Sequence, residues 1–426
     1  MSKIQVVVRG SMACRMTLIL GDERATMTSG YDYVIVGGGL AGASAVAGIR
    51  ERDATGSILL VGEEAHLPYD RPPLSKKLWF GKKQVKDIFL HDREFYDTRG
   101  VTLALGAAAA RIDPVARTLS TAGGTTYGYR KLLLATGCKP RQLDIPGGNL
   151  DGICYFRSLD DYLHTRDRAA AGRSAVVVGG GFIGSELAAA LNIVKLDVTM
   201  IFPGELLCDR VLPDYVGRAV QRRYEENGVR VLAPDRPISF SMNGSKFVTR
   251  TANGKTVESD IVIVGVGVVP EMELAKRGGL ETGNGIVVNE YLQTSSPDIY
   301  AAGDNAFFPY RTLGLSMRIE HWDHALIQGA CAGRNMAGAH EPYTHQPYFF
   351  SDLFEFGYEA TGEVDSRLET FADWQKENDT GVIYYLRDHK VRGVMMCNVW
   401  DKVEAARELI RKGETVTPEQ LRGLIR

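Results

Sequence analysis

Apolar residues gather in two blocks of the same design. Tyr31-Asp-Tyr-Val-Ile-Val36 is short, β-rich and ends in glycine, the pattern of a buried parallel strand. Small and apolar residues then run from Leu40 to about Arg52 as a helix that can lie close on a sheet, and Ile58-Leu-Leu-Val61 reads as the next strand. The second block begins with Ser174-Ala-Val-Val-Val178, continues as a helix from Ser185 to Ile193, and ends with strand Val198-Thr-Met-Ile-Phe202. Leu132-Leu-Leu-Ala-Thr-Gly137, Ile261-Val-Ile-Val-Gly-Val-Gly267 and Ile299-Tyr-Ala-Ala-Gly303-Asp304 are further apolar strands. Toward the C-terminus the pattern changes. Gly381–Leu386 and Val391–Met396 flank a polar Arg-Asp-His-Lys turn and predict a hairpin, followed by a helix capped by Asp401.

Between strand and helix each block carries G-x-G-x-x-G: Gly37, Gly39 and Gly42, then Gly179, Gly181 and Gly184. The spacing serves a tight turn, close approach to a pyrophosphate and close helix packing, with free N–H groups at the helix start facing the phosphates. A single motif of this kind is also explained by packing; two complete ones predict two dinucleotides. Glu63 follows the first block where a carboxylate can accept ribose hydroxyl protons. In the second block Phe202-Pro-Gly-Glu205 holds no cation before Arg210, so NADH is expected over NADPH, with Glu205 at the ribose.

Composition narrows the class. Glycine accounts for 47 of 426 residues, above the typical proportion of about 7%. Lys plus Arg is 50 against 52 Asp plus Glu, a net charge of −2 that argues against nucleic acid as the main partner. The six cysteines (14, 138, 154, 208, 331, 397) form no C-x-x-C pair and fit reduced thiols in the cytoplasm. No apolar run is long enough to span a bilayer. Residues 1–29 read as a leader, with Met27 near the natural start.

These motifs resemble the FAD-dependent pyridine nucleotide reductases. That resemblance implies an α/β fold: two Rossmann-like dinucleotide-binding domains, the second inserted in the first, plus a smaller α+β C-terminal domain. The expected divisions are 30–150 with 277–341 for FAD, 151–276 for NAD(P)H and 342–426 for an interface domain, which is also a candidate homodimer face. Ala135-Thr136-Gly137 is similar to the strand that returns past FAD, and Asp304 after Gly303 to the ribityl ligand; Gly267 belongs to the NAD side. The dithiol branch of the family places two cysteines near the first helix; Leu40 to Arg71 has none, so electrons must leave from the flavin itself.

Tyr69-Asp-Arg71-Pro-Pro-Leu-Ser-Lys76 resembles the flavin-side segment of oxygenase-coupled ferredoxin reductases and of apoptosis-inducing factor. The resemblance implies that Lys76 lies by flavin N5, paired with Glu186 of Gly-Phe-Ile-Gly-Ser-Glu186. Arg318-Ile-Glu320-His321-Trp322-Asp323-His324-Ala325 mixes the signatures of both subfamilies and implies a helix opening near the flavin. Its His/Asp spacing fits no common zinc motif, so no metal is expected. Phe350 stands where relatives usually carry Trp beside the nicotinamide. The implied activity is hydride uptake from NADH and electron delivery to a small iron–sulfur protein. NADH sensing like that of apoptosis-inducing factor, or reduction of a quinone, oxygen or a radical, are the alternatives.

Overall fold

A computed structural model of the chain describes residues 27–426. The expected leader lies outside the described residues up to position 26, and its last three positions instead begin the first strand, β1 (Met27–Val36). β1 is central in a sheet with β2 (Ile58–Gly62) and β3 (Val101–Leu105) on one side and the long strand Thr126–Leu134 on the other, all parallel. The far edge of Thr126–Leu134 is shared: its start pairs with the antiparallel strand Thr118–Thr121, its end with the parallel strand Ile299–Ala301. The return of Ile299–Ala301 into this sheet, more than 160 positions later, makes the intervening unit an insertion.

That unit repeats the arrangement. Ser174–Val178 is central, flanked by Asp197–Ile201 and Arg230–Leu232 on one side and Ile261–Val264 and Ile153–Tyr155 on the other, again all parallel. In each sheet the order reverses at the strand that feeds the glycine turn, so a crevice opens at the carboxyl ends, where ligands bind in such folds. A three-stranded meander, Pro237–Thr251 continuing into Thr256–Ser259, is attached to the inserted unit. Cys138–Pro140 and Val268–Pro270 pair antiparallel where the chain passes between the two units.

The C-terminal part is a five-stranded antiparallel sheet with Tyr348–Leu353 at one edge and Glu369–Lys376 at the other. The predicted hairpin is present as Thr380–Arg387 and Lys390–Cys397. The expected cap is not. The final long helix, Val403–Lys412, starts after Lys402 with no side-chain cap, and Asp401 sits at φ +61°, a turn conformation that its short polar side chain tolerates.

Candidate functional site

The two glycine turns use each glycine for a different reason. Gly37 and Gly179 have φ of +123° and +119°, and a Cβ on either would lie 2.1–2.2 Å from a carbonyl oxygen of the neighbouring strand's end, Ala135 or Gly265. A Cβ on Gly42 or Gly184 would lie 2.0 or 2.1 Å from the carbonyl oxygen of Gly37 or Gly179. At Gly39 and Gly181 an added Cβ would meet no protein atom within 4 Å. Those two precede the helices Leu40–Arg50 (α1) and Phe182–Ile193. They leave an open cradle at each helix N-terminus, where a ligand can approach the backbone. The residues therefore fit two bound dinucleotides.

Beyond the first turn, Gly137 (φ +66°) and Gly303 (φ +86°) close the same crevice. Arg157 donates to Asp304 at 2.8 Å. Thr136 is spent on protein: its hydroxyl donates to the Glu271 carbonyl and accepts from Asn305. Glu63 is exposed just past β2, while Glu64 takes Arg71 at 2.7 Å, so the Arg71 guanidinium is turned to a carboxylate and to the Arg157 carbonyl. In the second unit Glu205 is exposed past Asp197–Ile201, and Gly267 turns at φ +96° with open space around it.

The three parts of the chain meet at Lys76 and Glu186, which are only 5% and 6% exposed. The short helical turn Pro72–Ser75, with two prolines at its start, aims Lys76 inward. Glu186 projects from the second glycine-turn helix, and its Oε1 lies 3.0 Å from Lys76 Nζ. The carboxylate also accepts from Ser75 at 2.5 Å and from Ser351 at 2.6 Å, the latter on the C-terminal edge strand. The Phe350 ring faces the Lys76 ammonium at 4.4 Å. A cation removed from water requires such a partner, since an isolated buried charge costs several kcal/mol. A cleft of about 420 Å³ opens beside the pair, lined among others by Asp70, Pro73, Trp322 and Phe350.

Trp322 opens the helix Trp322–Met336, as expected, and its indole N–H donates to Asp70 at 2.7 Å. Glu320 is exposed and pairs with Arg318, which also donates to the Asp304 carbonyl. His321 stacks on Phe349 at 4.4 Å, and Phe349 in turn lies 5.6 Å from Phe182 at the start of the second helix. Burial pushes the His321 pKa down to about 4 and that of His324 to about 3, so both rings are neutral near pH 7. His324 and Asp323 face away from the crevice. The first packs on Phe308 and Tyr343; the second holds His345 and Arg407 of the C-terminal part.

Sequence reasoning missed Ser75, Arg157, Ser351 and Asp70 as members of the site. Ser75 and Asp70 lie inside the recognised Tyr69–Lys76 run and could have been found there. Ser351 directly follows Phe350 in a run that resembles the family, but its partner is revealed only by tertiary contact; Arg157 sits in an unremarkable segment.

The chain belongs to the pyridine nucleotide-disulphide oxidoreductase family, whose model matches residues 31–329. The C-terminal domain of apoptosis-inducing factor matches over 332–380 and 372–412. The family uses FAD and NAD(P)H. The chain is 35% identical to "Apoptosis-inducing factor 1, mitochondrial" of Dictyostelium discoideum, over 93% of this chain and 82% of that protein. It is 34% identical to the ferredoxin–NAD(+) reductase component of the anthranilate 1,2-dioxygenase system of Burkholderia cepacia, over 91% of this chain and 96% of that one. Among solved structures, the ferredoxin reductase for the CYP199A2 system of Rhodopseudomonas palustris has a TM-score of 0.86 at 30% identity, covering 91% of this chain and 96% of that chain. Both subfamilies that share the Arg318–Ala325 signature are thus represented, and the protein is an NAD(P)H-dependent flavoprotein oxidoreductase. No described helix is long and apolar enough to cross a membrane.

Proposed function

We propose that this chain is a reductase that draws on NADH and delivers electrons singly to a small iron–sulfur protein. FAD, when bound, supplies the conversion of a hydride into single electrons. Gly37, Gly39, Gly42, Glu63, Gly137 and Asp304 would hold it, and Gly179, Gly181, Gly184 and Glu205 the nicotinamide nucleotide. Lys76 supplies a fixed positive charge at the junction and Glu186 keeps it there. Such a preorganised cation favours negative charge developing beside it. Phe182, Phe349 and His321 form an aromatic wall, and Trp322 is held by Asp70. A cytoplasmic location, and pairing of two copies through the C-terminal sheet, belong to the same reading.

The buried Lys76–Glu186 pair carries this proposal, together with the lack of any cysteine between Leu40 and Arg71. A charge-tuned site without a dithiol suits transfer directly from flavin to an outside acceptor. The ferredoxin reductase relatives support the acceptor class. NADH-driven reduction of a [2Fe–2S] ferredoxin, compared with quinone and oxygen, tests it: turnover at least tenfold faster with the ferredoxin is expected.

A second reading has its own support in the match of residues 332–412 to the C-terminal domain of apoptosis-inducing factor. There the reduced protein would act as a sensor. Slow turnover with every acceptor, together with an NADH-dependent change of oligomeric state, would favour it. Fast turnover with quinone alone would replace both readings by a small-molecule reductase.

A further inference from the structure

The Glu186 carboxylate has three donors, and they come from two different parts of the chain. Ser75 and Lys76 are neighbours on one segment. Ser351 belongs to the C-terminal edge strand, 165 positions from Glu186, and is 1% exposed. It donates to Oε1, the oxygen that also meets Lys76. Its neighbour on the strand, Phe350, turns to the opposite side and lays its ring against the Lys76 ammonium. Successive strand residues point to opposite faces, so one backbone segment grips both members of the pair at once.

From this geometry we infer that Ser351 is a positioning residue. Through Glu186 it sets how much of the Lys76 charge is felt in the crevice, and it makes that setting depend on the C-terminal domain. The inference rests on the flavin reading of the crevice. The physical argument concerns competition for one oxygen. A hydroxyl donated to Oε1 spreads the carboxylate's negative charge and weakens its hold on Lys76. More of the ammonium's field then remains for a neighbouring group. Without the hydroxyl, Oε1 serves Lys76 alone, the pair neutralises itself more completely, and a flavin beside it becomes harder to reduce.

The test uses the holoprotein with FAD bound, in the parent and in Ser351→Ala, Ser351→Thr and Glu186→Gln. The flavin midpoint potential is measured from pH 6 to 9. Ser351→Ala should shift the reduced-to-oxidised ratio at fixed ambient potential about tenfold toward oxidised, about 30 mV for a two-electron couple. Ser351→Thr keeps the hydroxyl and should restore the parent value. A role confined to packing predicts no shift in either variant, and a parental potential in Ser351→Ala overturns the inference. If Glu186→Gln also leaves the potential unchanged, the flavin reading of the junction falls with it; a shift in Glu186→Gln alone removes only Ser351.

A second readout needs no cofactor. Ser351 and Lys76 meet through Glu186, so Ser351→Ala and Lys76→Met should be non-additive in the thermal stability of the flavin-free protein. Additive effects overturn the inference there, and this cycle also decides the matter should Ser351→Ala fail to hold FAD.

Discussion

The first glycine turn, Gly37 to Gly42, and the second, Gly179 to Gly184, agree in spacing, in φ and in the contacts that forbid a side chain. The helices leaving them diverge. α1 is packed backbone to backbone against Trp322–Met336: a Cβ on Gly48 would sit 2.1 Å from the Ala330 carbonyl, and Gly329 and Gly333 press equally on Ala41 and Ala45. The second helix is covered by different elements: Glu186 on its buried face meets the Pro72–Ser75 turn and the strand Tyr348–Leu353. Ile183 is 41% exposed, Phe182 faces an aromatic wall, and Glu186 stands where the first helix has Ser44. On the proposed reading, the first cradle, whose helix lies backbone to backbone on its neighbour, seats the resident nucleotide, and the second, with Ile183 exposed at its helix start, takes the nucleotide that comes and goes. Duplicated binding devices can thus be told apart by what covers the helix rather than by the motif.

The strongest way to break this comparison is to load the glycines. Gly37→Ala and Gly179→Ala each place a Cβ on a carbonyl in a left-handed conformation, and should cost about 4 kcal/mol or more. Gly39→Ala and Gly181→Ala should leave the unfolding temperature of the cofactor-free protein near the parent's. Gly39→Ala should then be colourless, while Gly181→Ala should stay yellow but reduce slowly. A yellow Gly39→Ala would show that the first cradle does not seat the pyrophosphate.

Removing one member of the junction pair comes next. Lys76→Met or Glu186→Leu leaves a charge with no ionic partner at about 5% exposure and should cost about 3 kcal/mol in denaturant titrations. The double variant should recover much of that loss. Additive losses would mean that the pair is solvated in solution.

Acid sharpens the contrast further, because both depressed histidines lie at the start of the helix packed on α1, His321 as its N-cap residue and His324 in its first turn. Folded pKa values of about 4 and 3 lie below the ordinary value near 6.5, so the unfolded chain binds more protons between them. Stability is complete above about pH 6.5 and should fall as pH drops toward 4, by up to about 1.4 kcal/mol per pH unit for each group. Flavin release should track this window. His324→Phe should flatten the slope; an unchanged slope would assign the acid sensitivity to other groups.

The smallest expected effect lies in the second cradle. NADH should exceed NADPH by about tenfold in kcat/KM, about 1.4 kcal/mol. Equal use of NADPH would show that Arg210 or another cation reads the 2′-phosphate.

How much of this could be read from the sequence depends on how local each feature is. The two strand–turn–helix units rest on apolar runs and glycine spacing within about thirty residues, and they stand where expected. Lys76 and Glu186 carry no periodic signal; family resemblance singled them out, and their contact at 3.0 Å appears only in the fold. Ser351, Arg157 and Asp70 bind partners 165, 147 and 252 positions away, and a lone serine or aspartate does not announce such a partner. Asp401 failed as a cap for a local reason. A helix start was visible, but the backbone there turns at positive φ, which the residue pattern does not distinguish from a capping geometry.

The pairing of Cys138–Pro140 with Val268–Pro270 has a consequence for descent and engineering. The chain leaves the first unit and comes back to it on two adjacent, oppositely directed strands, with Pro140 directly across from Val268. In topological terms the whole inserted unit occupies the tip of a β-hairpin. A tight turn could join those two positions, so gaining the cassette requires one break in the chain, losing or exchanging it requires two side by side, and neither sheet is rethreaded. Any transplanted cassette would inherit chemical obligations toward the rest of the chain, among them a carboxylate at the position of Glu186 to meet Lys76 and a guanidinium at the position of Arg157 to meet Asp304.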